Sequence, residues 1–168
     1  ITGGIGSGKS VVSRLLRIMG YSVYDTDSEA KRLMESSLEV VQKLSECFGR
    51  DIYHNGRLNR GLLSSRVFGE SDKIVLLNSI VHPVVRFDFY RWSESLNEEI
   101  CFVESAILYE SRFDELVDEV WTVTAPEELR ISRVRQRSGL TEEEIKKRMA
   151  AQLSEEEKQR RAAHIIWN

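Results

Sequence analysis

Apolar positions along the chain fall into two kinds of run. After a glycine-rich opening, VVSRLLRIM (residues 11–19) places apolar residues at helical spacing and Gly20 supplies a stop, which predicts a first helix. Tyr21 to Tyr24 is a short β-prone run ending in the acidic cluster Asp25-Thr26-Asp27, and a polar-led helical stretch is expected from about Ser28. Residues 38–96 read as mostly helical, with Val40, Val41, Leu44, Cys47 and Phe48 on one face and Gly49 as a stop. The turn-like HNGRLNR at residues 54–60 interrupts them. Two compact runs, ICFVE (100–104) and VWTVT (120–124), are apolar on both faces, as parallel strands are when helices cover each side. Thr124 is expected to cap the helix that follows, with Pro126 near its first turn and Glu127 and Glu128 facing its positive end. TEEE at residues 141–144 offers a capping box for one more helix, and HIIW at 164–167 a last short strand. Strands alternating with helices predict an α/β sandwich with a parallel sheet.

Composition narrows the class. A chain of 168 residues, 41% hydrophobic and 30% charged, is sized for one folding unit with a real core. It contains no 18-residue apolar run to span a bilayer, so no membrane association is expected. The net charge of −3 disfavours a broad nucleic-acid surface and fits a small anionic ligand better. Cys47 and Cys101 lack metal-ligand spacing, and both are expected to be buried, reduced thiols of a cytoplasmic protein. There is no repeat, low-complexity tract or linker to mark a domain boundary.

Gly3, four residues, then Gly8-Lys9-Ser10 satisfies the P-loop pattern, and a helical run begins where such a loop needs one. Glycines let the backbone wrap closely, so that successive N–H groups and the helix N-terminus point at a β-phosphate while Lys9 neutralises the β/γ oxygens. The bland alternative is a glycine-rich turn with Lys9 solvated. The strand that should feed the loop is represented only by Ile1 and Thr2, and the rest of it is expected upstream. Three functions compete: a small-molecule kinase, a GTPase-type switch, and a motor or nucleic-acid ATPase. A guanine-reading Asn-Lys-x-Asp is absent from the sequence, and its size disfavours a motor, which leaves kinase in the lead.

Phosphoryl transfer needs a group near the attacking hydroxyl, a metal, and cations around the equatorial oxygens. Asp27 stands where a catalytic base belongs, beyond the carboxyl end of a strand next to the P-loop. Its other reading is that Asp27 or Ser28 caps the following helix. Glu104 ends ICFVE and is placed either to reach a Mg²⁺ hydration shell or to be solvated at a strand end. Arg130, Arg133 and Arg137 recur at i, i+3 and i+7, with Arg148 following the hinge-like Ser138-Gly139. That layout describes either a lid of cations closing over phosphates or a solvated face paired with nearby glutamates. His82, before Pro83, reads more readily as a structural hydrogen-bonder than as a catalyst.

With these residues assembled, the chain resembles the dephospho-coenzyme A kinase family almost from end to end. TGGIGSGKS is the form of P-loop that family favours; VYDTD is similar to its Asp-Ala-Asp element and LNSIVHPVV to its His-Pro segment. AILYE stands at its Pro-Leu-Leu-aromatic-Glu motif, RISRVRQR at its lid helix, AAQ (150–152) at a short glutamine motif, and HIIWN at its final strand. The resemblance implies a three-layer α/β/α P-loop fold, with a core at residues 1–29 and 97–168, a helical acceptor region at about 30–96 and a lid at about 130–150. It implies that ATP, with Mg²⁺, phosphorylates the ribose 3′-hydroxyl of dephospho-coenzyme A. Carried over by position, Asp27 becomes the base or orienting carboxylate, and Lys9, Arg133 and Arg137 act on the transferred group. Gly4, Ile5, Gly6, Ser7, Gly8, Lys9, Ser10, Val11 and Asn168 hold ATP. Ser10 and Glu104 serve the metal, and Arg60 and His82 contact the acceptor. The implied partner is this small molecule alone, for a cytoplasmic monomer or weak homo-oligomer. The rivals are a nucleoside monophosphate or sugar-acid kinase of the same fold and a non-catalytic nucleotide sensor. The sequence departs from the family at Thr26, usually alanine, at Ala106, usually proline, at Arg130, commonly glutamine, and at His164, often acidic. The family usually continues past the position of Asn168 into a loop near the adenine and a closing helix.

Overall fold

The computed structural model describes residues 1–168. In chain order it contains α1 (Lys9–Ile18), β1 (Val23–Asp25), α2 (Thr26–Ser36), α3 (Leu38–Phe48), β2 (Tyr53–His54), β3 (Arg57–Leu58), α4 (Arg60–Val67) and α5 (Ser71–Ser95). There follow β4 (Phe102–Glu104), β5 (Trp121–Thr124), α6 (Glu127–Ser138), α7 (Glu142–Ala150), α8 (Glu155–Arg161) and β6 (His164–Trp167). They divide into two compact units: Ile1–Asp25 with Glu98–Asn168, and Thr26–Asn97. No helix is long and apolar enough to cross a membrane.

The first unit is built on a parallel sheet. β1 pairs with β4, setting Asp25 opposite Glu104, and β5 pairs with β6, setting Thr124 opposite Trp167. Ile1 and Thr2 join the two halves. The Ile1 nitrogen donates to the Val103 carbonyl at 2.6 Å, while Thr2 N–H donates to Trp121 and Val123 N–H to Thr2, both at 2.8 Å. Two residues are therefore enough to complete the strand order β1, β4, Ile1–Thr2, β5, β6. Ile1, Leu16 and Val123 form the buried centre, flanked by Val12, Tyr21, Val23, Phe102 and Ile166. At one end of the strands Tyr21, Phe102, Trp121 and His164 meet edge to face in a row, with ring centroids 5.4, 5.5 and 5.6 Å apart. Such pairs are each worth about 0.5–1.5 kcal/mol beyond their burial, so the row clamps neighbouring strands together. α1 packs on β1 and β4, and α8 on β5. Only Leu16 among the regularly spaced apolar residues of α1 is buried; Val11, Leu15 and Ile18 remain exposed, as does Met19 after it.

Several local expectations are corrected. α2 begins at Thr26, so Asp27 and Ser28 lie inside its first turn rather than at its cap. Thr124 does not cap α6: Pro126 holds that position without a side-chain bond, and the Thr124 hydroxyl bonds to α8. Cys47 is exposed, because α3 buries Val40, Leu44 and Phe48 along a stripe that misses it; both cysteines are free. α8 itself was not anticipated. Its sequence EEEKQRR has no apolar period, and it is held by the Ser154 cap, by Arg160 and Arg161 on Glu157, and by the buried Lys158. α7 forms with the expected box, Thr141 and Glu144 satisfying each other's backbone N–H groups.

The second unit is helical around a short hairpin. HNGRLNR turns through Asn55 (φ 49°) and Gly56 (φ 75°), the left-handed pair that a tight hairpin requires, and joins β2 to β3. Asn59 then caps α4 by accepting from Leu62 N–H at 3.0 Å. α5 runs 25 residues with Pro83 inside it and buries Ile80, Val81, Val85 and Phe89. Leu44 is fully buried in this unit. Leu44→Ala is expected to destabilise the protein by about 2–5 kcal/mol in urea or thermal unfolding, since the transfer loss is joined by a cavity; a change under 1 kcal/mol would contradict that packing.

Candidate active site

The glycine loop is shaped by what closes around it. Gly3, Gly6 and Gly8 have φ of 145°, 80° and 100°, backbone that side chains rarely adopt. A Cβ at Gly3 would meet the Val123 carbonyl of β5, at Gly4 the Glu155 carboxylate and Arg130 guanidinium, at Gly6 the Arg130 carbonyl, and at Gly8 the Asn168 amide. Each of these approaches is 2.5 Å or closer. The loop is thus confined by β5, α6, α8 and Asn168, the residue that follows β6.

Those neighbours also orient its peptides. Asn168 Nδ2 donates to the Ser7 carbonyl at 3.0 Å, and Arg133 Nη1 reaches the Gly6 and Ser7 carbonyls at 3.5 Å. In a trans peptide the C=O and the next N–H point opposite ways, so anchoring the Ser7 carbonyl turns the Gly8 N–H outward. Gly8 is the left-handed cap of α1 with no side chain capping it, and the first turn of α1 holds no acidic residue. The positive helix end, Lys9 and the outward N–H together make an anion site. Ser10 is exposed in the same turn. Lys9 and Glu104, which ends β4, both lie within electrostatic reach of the Ile1 nitrogen, so the loop lysine and this carboxylate share one end of the sheet. A serine hydroxyl and one carboxylate suit Mg²⁺, which keeps most of its water and takes few protein oxygens.

The arginines of α6 separate. Arg133 faces the loop and Arg137 is exposed, whereas the Arg130 side chain is 7% exposed and pairs with Glu155 at 3.2 Å. Arg130 and Arg137 share a helix face but stand about 10 Å apart along the axis, so only the first lies beneath the glycines. Arg130 is therefore removed from the expected row of three cations, being buried in a pair with Glu155. Glu155 also accepts from the Thr124 hydroxyl at 3.2 Å, which itself accepts from Gln159 at 3.2 Å. Ile5 N–H donates to Gln152 Oε1 at 3.0 Å, and Leu153 N–H to Glu110 at 2.7 Å. The segment after α7 is thus tied down at two successive residues, while α6 ends at Gly139 in a left-handed turn (φ 66°).

Sequence reasoning missed Glu155, Thr124, Gln159 and Lys158. The available signal was Ser154 followed by three glutamates and later by Lys158, Arg160 and Arg161, a helix cap with acidic start and basic end. Lys158 is fully buried, its Nζ donating to the Ala106 carbonyl at 3.3 Å. Burial holds its pKa below that of a free lysine, against the opposing pull of Glu110 and Glu155.

In the second unit Asp27 is exposed in the first turn of α2, directly after β1. Arg60 opens α4 and its guanidinium meets Glu35 at 3.2 Å. His82 is half-buried in α5, and burial lowers its pKa, favouring the neutral imidazole.

A confined glycine loop entering a helix from the middle of a parallel sheet defines a P-loop nucleotide-binding protein. The profile of the dephospho-CoA kinase family matches residues 1–168. The dephospho-CoA kinase of Porphyromonas gingivalis is 43% identical over 169 residues, covering 100% of this chain and 84% of its own length; that of Corynebacterium diphtheriae is 39% identical, covering 100% and 86%. A crystal structure from Thermus thermophilus superposes with a TM-score of 0.86 at 38% identity, covering 99% of this chain and 85% of that one. The dephospho-CoA kinase of Campylobacter jejuni superposes with a TM-score of 0.72 at 26% identity, with the same coverage. The chain belongs to the dephospho-CoA kinase family.

The depressed Lys158 pKa fixes a pH dependence. Between the folded value and the ordinary one, the unfolded chain binds more protons, so stability rises with pH through that window. The Tm of the protein minus that of Lys158→Met is expected to grow from pH 7 to pH 9.5; a flat or falling difference would show that Lys158 stays charged in the fold.

Proposed function

We propose that the chain transfers the γ-phosphoryl group of ATP to the ribose 3′-hydroxyl of dephospho-CoA, releasing ADP and coenzyme A. The observation that carries the reading is the anchored Ser7 carbonyl, which turns the Gly8 N–H outward over the start of α1, in a chain that belongs to this family along its whole length. The backbone from Gly4 to Val11 cradles the phosphates. Lys9 and Arg133 neutralise charge on the transferred group, and Arg137 joins them as the segment at about 130–150 closes. Asn168 acts through the loop, as its bond to Ser7 indicates.

Ser10 and Glu104 would hold Mg²⁺, which when bound supplies positive charge at the β/γ oxygens. Asp27 orients the acceptor hydroxyl or takes its proton. It is exposed, in the first turn of α2 directly after β1. Neutral His82 offers hydrogen bonds to the acceptor without adding charge. Arg60 offers a cation to the acceptor's phosphates by exchanging its surface pairing with Glu35, a pairing of the exposed kind worth about 0–1 kcal/mol. A cytoplasmic location fits such an activity.

ADP release measured against a panel of acceptors tests the reading. Dephospho-CoA is expected to stimulate it, and stimulation only by AMP or gluconate, or by no acceptor at all, would contradict it. Asp27→Asn is expected to lower kcat by about 10²-fold or more with ATP affinity little changed; near-normal turnover would leave Asp27 as a favourable charge on the α2 dipole and no more.

A further inference from the structure

Arg130 of α6 lies against the glycine loop with both its carbonyl and its guanidinium. Its carbonyl leaves Gly6 no room for a Cβ, and its guanidinium, with the Glu155 carboxylate, lies so close to Gly4 that a side chain there would displace the pair. The pair is deeply placed, with side chains 7% and 15% exposed, and Arg130 Nε is buried without a hydrogen-bond partner. On their other side Arg130 and Glu155 line a cavity of about 450 Å³ at the carboxyl ends of β5 and β6, shared with Gln152, Met149 and Trp167. Two opposite charges, their side chains deeply buried, therefore sit against the glycine loop and at the edge of an open cavity.

We propose that Arg130 and Glu155 are positioning residues that set the charge beneath the glycine loop, Glu155 cancelling an arginine that would otherwise hold the nucleotide too tightly. This rests on the reading of the loop as the phosphate site. Neither side chain takes part in the transfer. Arg130 supports Gly4 and Gly6 and contributes positive potential, and Glu155 lowers that potential and fixes the guanidinium by its bonds to Arg130 and Thr124. Glu155 is in the first turn of α8, two residues beyond Leu153 and three beyond Gln152, whose side chain holds Ile5. The segment leaving α7 thus delivers both a hydrogen bond and a neutralising charge to the same loop. Lys158 is the other cation in the field of Glu155, and it also feels Arg130.

A charge role separates from a merely structural one by sign. Packing loss at either residue weakens nucleotide binding, whereas a charge role moves the two variants in opposite directions. Calorimetric titration of the intact chain with ATP is expected to give a Kd about tenfold higher for Arg130→Gln, which leaves Glu155 uncancelled, and several-fold lower for Glu155→Gln, which leaves Arg130 uncancelled. The double variant is expected to return to within about threefold of the parent Kd. Shifts in the same direction, or no shift in either, would overturn the proposal. Should Arg130→Gln not fold, Glu155→Gln decides alone, and unchanged or weaker ATP binding overturns the charge role. Lys9→Ala run alongside separates the two levels: ATP binding as tight as the parent's in that variant would overturn the phosphate-site reading, and the pair's role with it.

Discussion

Close approach to the glycine loop is the constraint on which the rest of the first unit depends. Gly3 and Gly6 leave no room for a Cβ because a strand carbonyl and a helix carbonyl lie against them, and at Gly4 and Gly8 an ion pair and an amide would have to move aside. Each neighbour lies far away in sequence. Val123 comes from β5, Arg130 from α6, Glu155 from α8, and Asn168 from just after β6. The sheet order that puts Ile1 and Thr2 between β4 and β5 makes this possible, since the loop leaves the sheet at its centre with β5 and then β6 on one side. The aromatic row from Tyr21 to His164 clamps four segments of that sheet, and so secures the geometry on which the loop relies.

Confinement becomes function through peptide orientation. A flexible glycine loop would spend free energy ordering itself around phosphates, whereas here the carbonyls of Gly6 and Ser7 are already occupied by Arg133 and Asn168. The bond to the Ser7 carbonyl aims the Gly8 N–H outward before any ligand arrives, while the Ser7 N–H is held within the loop by the Gly4 carbonyl at 3.1 Å; this is preorganisation of the kind on which electrostatic catalysis depends. The same arrangement explains a division of labour among three arginines of one helix. Arg130 is buried beneath the loop in its pair with Glu155, Arg133 reaches the loop carbonyls, and Arg137, about two turns beyond Arg130, is exposed.

Much of the first unit was legible in the sequence because its signals are local. Strands apolar on both faces announced a parallel sheet, the helical run after the loop announced α1, whose first turn starts earlier than that run, at Lys9, and TEEE marked α7. What escaped was non-local or lacked hydrophobic period. EEEKQRR carries no apolar residue, yet α8 buries Lys158 and delivers Glu155 to the loop. Thr124 reads as a cap from its neighbours, but tertiary partners on α8 claim its hydroxyl and leave the capping position to Pro126. Cys47 fell on an apolar stripe one position too wide, and a helical count cannot tell the rim of such a stripe from its centre. The helices of the second unit were legible as helices, whereas nothing in their pattern says which of Asp27, Arg60 and His82 meets a ligand. Asp27 stands out by its place at a strand end beside the loop, with capping as its other reading; the acceptor roles of Arg60 and His82 come from family resemblance.

The central claim is that the turn from Ser7 into α1, held from behind by Asn168 and Arg133, receives the nucleotide's phosphates. Amide chemical shifts of ¹⁵N-labelled protein during titration with ADP test it most directly. The account predicts that Gly6, Gly8, Lys9 and Ser10 shift most, with the Asn168 side-chain amide following as the Ser7 carbonyl responds. Largest shifts elsewhere, with these amides unmoved at saturation, would contradict it.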